Sequence, residues 1–318
     1  MTIPLLVLID SVHDYLPAIE ARGFQAVYAP TAQARADAIA QHADDIRVVL
    51  TRGATGFRAD EIAALPKLEL ICSLGVGYEN IDLAAAAARG IIVTNGPGAN
   101  AVSVADHAMA LLLGAVRHLP QADAWVRQGH WSGFMGPQVT GKRLGILGLG
   151  TIGLEIAKRG ANGFGMSVGY YNRRARPESG YTYFDNPRDL AAASDFLVVA
   201  TPGGAGTRHL VNAEVLDALG PHGYLVNIAR GSVVDTDALI AALAEGRIAG
   251  AGLDVVDGEP VVPEALKALT NVVLTPHSAG RSPEAVEATV TLFLQNATAH
   301  FSGQAVLTPV LDAQAEAA

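Results

Sequence analysis

Short apolar runs recur along this chain, separated by Ala-rich helical stretches, and that alternation restricts the fold more than any other feature. Leu5 to Ile9, Val48 to Leu50, Leu68 to Leu74 and Ile91 to Val93 form a first series. Leu144 to Leu147, Met166 to Tyr171, Phe196 to Ala200, Tyr224 to Ala229, Gly250 to Val256 and Asn271 to Leu274 form a second. Runs this short, apolar throughout and rich in Val, Ile and Leu are what strands covered on both faces require. Strands alternating with helices pair in parallel, because each crossover consumes a helix's worth of chain. Two doubly wound α/β units are therefore expected, the second being larger, with six strands. The turn residues Thr94-Asn-Gly-Pro-Gly98 mark the break between them.

With 318 residues, half of them apolar, the chain is long enough for two ordinary domains with a large core. A net charge of −9 argues against a general nucleic-acid or anionic-membrane surface, both of which need a basic face. The lone cysteine, Cys72, excludes an internal disulfide and a multi-cysteine metal site, and no metal is expected. The opening Met1-Thr-Ile-Pro-Leu-Leu-Val-Leu-Ile-Asp10 lacks a basic leader segment and reads as a first strand. No apolar run reaches bilayer-spanning length, so a cytoplasmic protein is expected. A helix from Val102 to Leu119 is apolar nearly all round and must be buried on most faces, in a domain core or at the contact of a homodimer. A last helix is expected from Glu284 to His300.

Within the second series, Gly148-Leu149-Gly150-Thr151-Ile152-Gly153 is a G-x-G-x-x-G run that follows a strand and opens a helix, the context that makes this motif specific for a dinucleotide. Gly148 permits the tight turn, Gly150 lets backbone amides reach a pyrophosphate, and Gly153 allows close helix-strand packing. The helix N-terminus adds partial positive charge. About 20 residues on, where a carboxylate would bind the ribose 2′-hydroxyl of NAD, the chain reads Asn172-Arg173-Arg174. Two fixed cations in an otherwise acidic chain suit a 2′-phosphate, which points to NADPH.

Three further segments stand just beyond the last three strand-like runs: Asn227-Ile-Ala-Arg230, Asp257-Gly-Glu259-Pro and Thr275-Pro-His277. Ligands in open parallel sheets bind outside the carboxyl ends of the strands, so these side chains are expected in one cleft. Arg230 offers a fork of donors to the carboxylate and carbonyl of a 2-keto acid. As hydride reaches the carbonyl carbon, its oxygen needs a proton, and an imidazole is suited to give one near neutral pH. His277 fits that task, with Glu259 beside it to favour the charged ring.

With these motifs in place, the chain resembles the D-2-hydroxyacid dehydrogenase family, in particular its NADPH-preferring glyoxylate/hydroxypyruvate reductase branch. The likeness is densest from Gly141 to Gly280 and aligns the family's substrate arginine, glutamate and histidine with Arg230, Glu259 and His277. It implies a Rossmann cofactor domain, residues 99–285 with a dimerisation helix, inserted into a flavodoxin-like substrate domain of residues 1–98 and 286–318. Chain crossovers near Gly98 and residue 285 would then act as the hinge of a closing cleft. It further implies that the amides of Val76 and Gly77, in the loop Leu74-Gly75-Val76-Gly77, hold the substrate carboxylate. Thr201, Pro202, Thr207, Ile228, Ala229, Asp254, Ser278, Ala279 and Gly280 would line the cofactor cleft. Arg52, Leu74 and the loop Trp131 to Met135, including Phe134, are expected to shape the side-chain pocket, the latter reaching from the partner subunit in relatives. Thr151 stands where many relatives carry Arg, and Ser278 replaces an aliphatic residue. Glu259 distinguishes the chain from formate dehydrogenases of the superfamily, which carry Gln there. The expected activity is reduction of glyoxylate and hydroxypyruvate. A bulkier 2-keto acid, phenylpyruvate-like or 2-ketogluconate-like, is the alternative, and a dinucleotide-sensing corepressor or scaffold the rival of another class.

Overall fold

The computed structural model describes residues 2–310, which fold as two compact units. One comprises residues up to Asn100 together with those from Arg281, the other Ala101–Gly280. The first holds a five-stranded parallel sheet of β1 (Ile3–Val7), β2 (Phe24–Tyr28), β3 (Val48–Thr51), β4 (Leu70–Ser73) and β5 (Ile92–Thr94), in the order β2-β1-β3-β4-β5. That 2-1-3-4-5 order is flavodoxin-like. The central strands β3 and β4 are buried at every position, as continuous apolar runs demand. One face is covered by the helix Pro283–Phe301, whose Val286, Val290, Phe293 and Ala297 pack on Leu5, Val7, Phe24, Val48 and Leu50. Ser282 caps that helix by accepting from the Ala285 amide at 3.2 Å, and Pro283 occupies its first turn.

The second unit carries β6 (Arg143–Leu147), β7 (Ser167–Tyr171), β8 (Thr182–Phe184), β9 (Phe196–Val199), β10 (Tyr224–Asn227), β11 (Gly250–Leu253) and β12 (Val272–Leu274). All pair in parallel, in the order β12-β11-β10-β9-β6-β7-β8. Counted from β6 this is the Rossmann order 3-2-1-4-5-6 with one strand added, and its switch point lies between β6 and β9.

Two strands escape the apolar-run reading, and both are edge strands. β2, Phe-Gln-Ala-Val-Tyr, is only partly buried beyond Phe24, and β8, Thr-Tyr-Phe, is largely exposed. Each also carries an exposed polar residue, Gln25 or Thr182, that interrupts its apolar run, which β5 and β12 at the other two edges do not. The second sheet accordingly has seven strands where six were expected.

The expected long apolar helix spans Ala101–Val116 and ends where His118 turns left-handed (φ 53°) to begin a separate helix, Leu119–Arg127. Its own unit accounts for its apolarity. Val104, Ala108, Leu111 and Leu112 join the core with Leu144, Ile146, Val198 and Val226. A Cβ on Gly252 of β11 would lie 2.9 Å from that of Leu111, so glycine there lets helix and sheet meet closely. Among the described residues, no helix is long and apolar enough to cross a membrane.

Candidate active site

At the carboxyl ends of β10, β11 and β12 the register keeps neighbours level, with Asn227 beside Leu253 and Leu253 beside Leu274. The three segments that follow therefore leave the sheet side by side. After β10 the buried Asn227 ties the turn: its Oδ1 accepts from the Ala229 amide at 3.0 Å and its Nδ2 donates to the Arg230 carbonyl at 3.1 Å. A Cβ on Gly231 would fall 2.0 Å from the Val256 carbonyl carbon, so only glycine lets this turn lie against the segment leading to Glu259. Arg230 Nη1 donates to the Ala229 carbonyl at 2.6 Å, and the aliphatic part of the side chain lies against Gly203.

His277 and Glu259 are paired directly, Nδ1 to Oε1 at 2.5 Å, each side chain about one-third exposed. Since Nδ1 faces the carboxylate, Nε2 is the nitrogen left to meet a substrate, and the contact fixes the ring's orientation. The backbone beneath is held as firmly. His277 is left-handed (φ 50°), and its amide donates to the Asp254 carbonyl at 2.8 Å. The buried Asp254 carboxylate accepts from the amides of Ser278 (2.8 Å) and Ala279 (2.9 Å) and from Thr275 Oγ1 (2.6 Å), with His107 Nε2 at 3.4 Å. Burial alone would raise its pKa. The hydrogen bonds outweigh that and hold the carboxyl near a pKa of about 2. Asp254, expected in the cofactor cleft, thus spends its oxygens on the loop that carries His277.

The glycine motif has a different physical reason at each position. A Cβ on Gly148 (φ 99°) would lie 2.8 Å from the Ala200 carbonyl carbon and the Thr201 nitrogen, and one on Gly153 would lie 2.1 Å from the Gly148 oxygen. Around Gly150, the N-cap of the helix Thr151–Phe164, a Cβ would meet nothing within 4 Å. Beside this open approach the Thr201 hydroxyl is buried without a hydrogen-bond partner. An open helix N-terminus with an unused hydroxyl next to it fits a dinucleotide pyrophosphate. Leu149, Ile228, Ala229 and Ala279 are core side chains, so any part they take runs through their backbone, while Ile152 is partly buried against the same core. Thr207 donates to the Pro202 carbonyl at 2.7 Å and shapes the loop after β9.

Beyond β7, Asn172 Oδ1 accepts from the Leu149 amide at 2.7 Å, so the residue in the carboxylate's usual place braces the glycine loop. Arg176, unassigned from sequence, does the same: it donates to the Leu149 carbonyl at 2.8 Å and pairs with Glu178 at 3.0 Å. Arg173 and Arg174 stay exposed. Nothing in a run of three arginines distinguishes the structural one before the fold is seen.

In the first unit, the carbonyls of Gly75, Val76 and Gly77 are each taken by an internal donor. Gly75 accepts from the Gly96 amide at 2.6 Å, Val76 from Asn95 Nδ2 at 2.8 Å, and Gly77 from Ser73 Oγ at 2.5 Å. In a planar trans peptide the next residue's N–H points opposite to the carbonyl. The amides of Val76, Gly77 and Tyr78 are thereby turned away from these internal donors, and Leu74, partly buried, leads into the loop. Arg52 donates from Nε to Thr55 Oγ1 at 3.1 Å. In the second unit Trp131 and Met135 are almost wholly exposed and Phe134 is half so, while Trp125 Nε1 donates to Ser132 Oγ at 2.8 Å.

Residues 109–279 match the family model described as D-isomer specific 2-hydroxyacid dehydrogenase, NAD binding domain. The chain belongs to that family. As a family member it is 44% identical over 284 residues to hydroxyphenylpyruvate reductase of Plectranthus scutellarioides, covering 88% of this chain and 90% of the relative. It is 45% identical to glyoxylate/hydroxypyruvate reductase A of Arabidopsis thaliana, covering 85% and 87%. A solved structure from Sinorhizobium meliloti, an NADPH-dependent glyoxylate/hydroxypyruvate reductase in complex with NADP and malonate, superposes with a TM-score of 0.87 at 42% identity, covering 98% of this dehydrogenase and 97% of its neighbour. The resemblance read from the motifs is thus established at the level of family and fold, with an NAD(P)-binding domain.

Proposed function

We propose that this dehydrogenase reduces small 2-keto acids, glyoxylate and hydroxypyruvate among them, to D-2-hydroxy acids with NADPH. The observation that carries the reading is the 2.5 Å contact between His277 Nδ1 and Glu259, which leaves Nε2 to face a substrate oxygen. Bound NADPH supplies hydride to the carbonyl carbon. His277 then delivers the proton from Nε2 to the oxygen that becomes the hydroxyl, and the Glu259 carboxylate balances the charge of the imidazolium before transfer. Arg230 binds the substrate carboxylate and polarises the carbonyl. In the first unit, the outward amides of Val76 and Gly77 are donors suited to a carboxylate. Arg173 and Arg174 hold the 2′-phosphate, and the amides around Gly150 and Thr151, with the Thr201 hydroxyl, receive the pyrophosphate.

The exposed apolar side chains Leu119, Trp125, Val126, Trp131, Phe134 and Met135, gathered in one stretch of sequence, support a homodimer. The hydroxyphenylpyruvate reductase relative favours one second reading, the same chemistry on an aromatic 2-keto acid. A corepressor or scaffold has no need of the intact dyad. Loss of NADPH absorbance is the test, read across a panel of 2-keto acids. Glyoxylate or hydroxypyruvate is expected to give the highest kcat/KM. A preference above about tenfold for an aromatic acid, roughly 1.4 kcal/mol, would move the assignment to that substrate, and no turnover with any 2-keto acid would end it.

A further inference from the structure

We propose that His107, on the helix Ala101–Val116, is a positioning residue for His277, setting through Thr275 and Asp254 where the catalytic imidazole stands. The inference rests on the reading of His277 as proton donor. His107 Nε2 lies 2.9 Å from Thr275 Oγ1, which lies 2.6 Å from Asp254 Oδ1. That same oxygen accepts the Ser278 amide, its partner oxygen the Ala279 amide, and the Asp254 carbonyl the His277 amide.

The direction of the chain follows from counting protons. An ionised carboxylate only accepts, so the single hydroxyl proton of Thr275 goes to Asp254. The Thr275 oxygen is then left to accept, which makes His107 the donor through Nε2–H. Without that donor the threonine rotamer loses one of its two anchors, and Asp254 is free to lose its grip on residues 277–279. One helical turn earlier, Ser103 Oγ donates to the Ala279 carbonyl at 2.7 Å. Residues four apart share a helix face, so one face of this helix holds both ends of the loop. Polar side chains at these two positions of an apolar helix are explained by that grip.

A merely structural histidine would lower stability and leave turnover in the folded protein alone. The test therefore compares wild type, His107→Leu and His107→Gln by three measurements on the intact enzyme: kcat and KM for the best 2-keto acid, NADPH affinity, and the downfield proton resonance of the His277–Glu259 hydrogen bond. A shift of the reacting group by a fraction of an ångström predicts a kcat about tenfold or more lower in His107→Leu. NADPH affinity should stay within about twofold, and the resonance should move. His107→Gln, which restores a donor, should recover turnover to within about threefold and return the resonance. Wild-type kcat and an unmoved resonance in His107→Leu would overturn the proposal. If His107→Leu fails to fold, Thr275→Val breaks the same chain at its next link and is judged by the same readings. Should wild type reduce no 2-keto acid, the functional reading fails, while the resonance still decides whether His107 positions His277.

Discussion

The His277 ring is held by Nδ1 against Glu259 and its backbone by the Asp254 carbonyl, so the outward Nε2 is defined twice over. Replacing His277 by alanine should lower kcat by about 10²–10⁴-fold, the usual contribution of a positioned acid, with NADPH affinity nearly intact. Steady-state rates and a fluorescence titration separate the two, and an unchanged kcat would contradict the role. Arg173→Ala and Arg174→Ala should weaken NADPH far more than NADH, since only the former carries the phosphate; equal losses in titrations with both cofactors would reject that contact. The placement of Arg230, Glu259 and His277, the trio proposed to act on the substrate, was legible in the sequence because each follows an apolar run ending a strand. The side chains that hold them were not. Asn227 and Asp254 act by hydrogen bonds to backbone groups 3, 24 and 25 residues away, Arg176 likewise braces the glycine loop 27 residues away, and no local pattern reveals which backbone group a side chain will meet.

Among the elements, the loop from Thr275 to Gly280 depends most on a single charge. Asp254 ordinarily titrates near 3.8 and is held near 2 in the fold. A carboxyl whose pKa is depressed on folding stabilises the native state at pH values above its unfolded pKa, and that contribution disappears as pH falls through the folded one. The difference amounts to about 2 kcal/mol. Urea unfolding of wild type and Asp254→Asn should therefore differ most above about pH 4, the gap narrowing by about 2 kcal/mol as pH approaches 2. A gap independent of pH would show that the carboxylate's charge is not what holds the loop. Strand content followed the same logic of visibility: strands covered on both faces announce themselves as apolar runs, while β2 and β8, each carrying an exposed polar residue, do not. The helix Ala101–Val116 showed its apolarity in sequence but not its partner, because a helix apolar all round looks the same beneath a sheet and at a subunit contact.

At the scale of the molecule, sedimentation should give a mass near twice the 32.9 kDa of the chain, and serine at Trp131 and Met135 should weaken the association. A monomer at micromolar concentration would remove the reason offered for that exposed apolar stretch. The order in which the chain builds its first unit has another consequence. The sheet face bearing Phe24, Val48 and Leu50 is covered by the helix Pro283–Phe301, yet the whole of Ala101–Gly280 is made before that helix. At roughly 5–20 residues per second, the ribosome leaves this face bare for about 10–35 s. A nascent chain of this dehydrogenase is thus expected to present its N-terminal sheet to chaperones well before its inserted unit is complete.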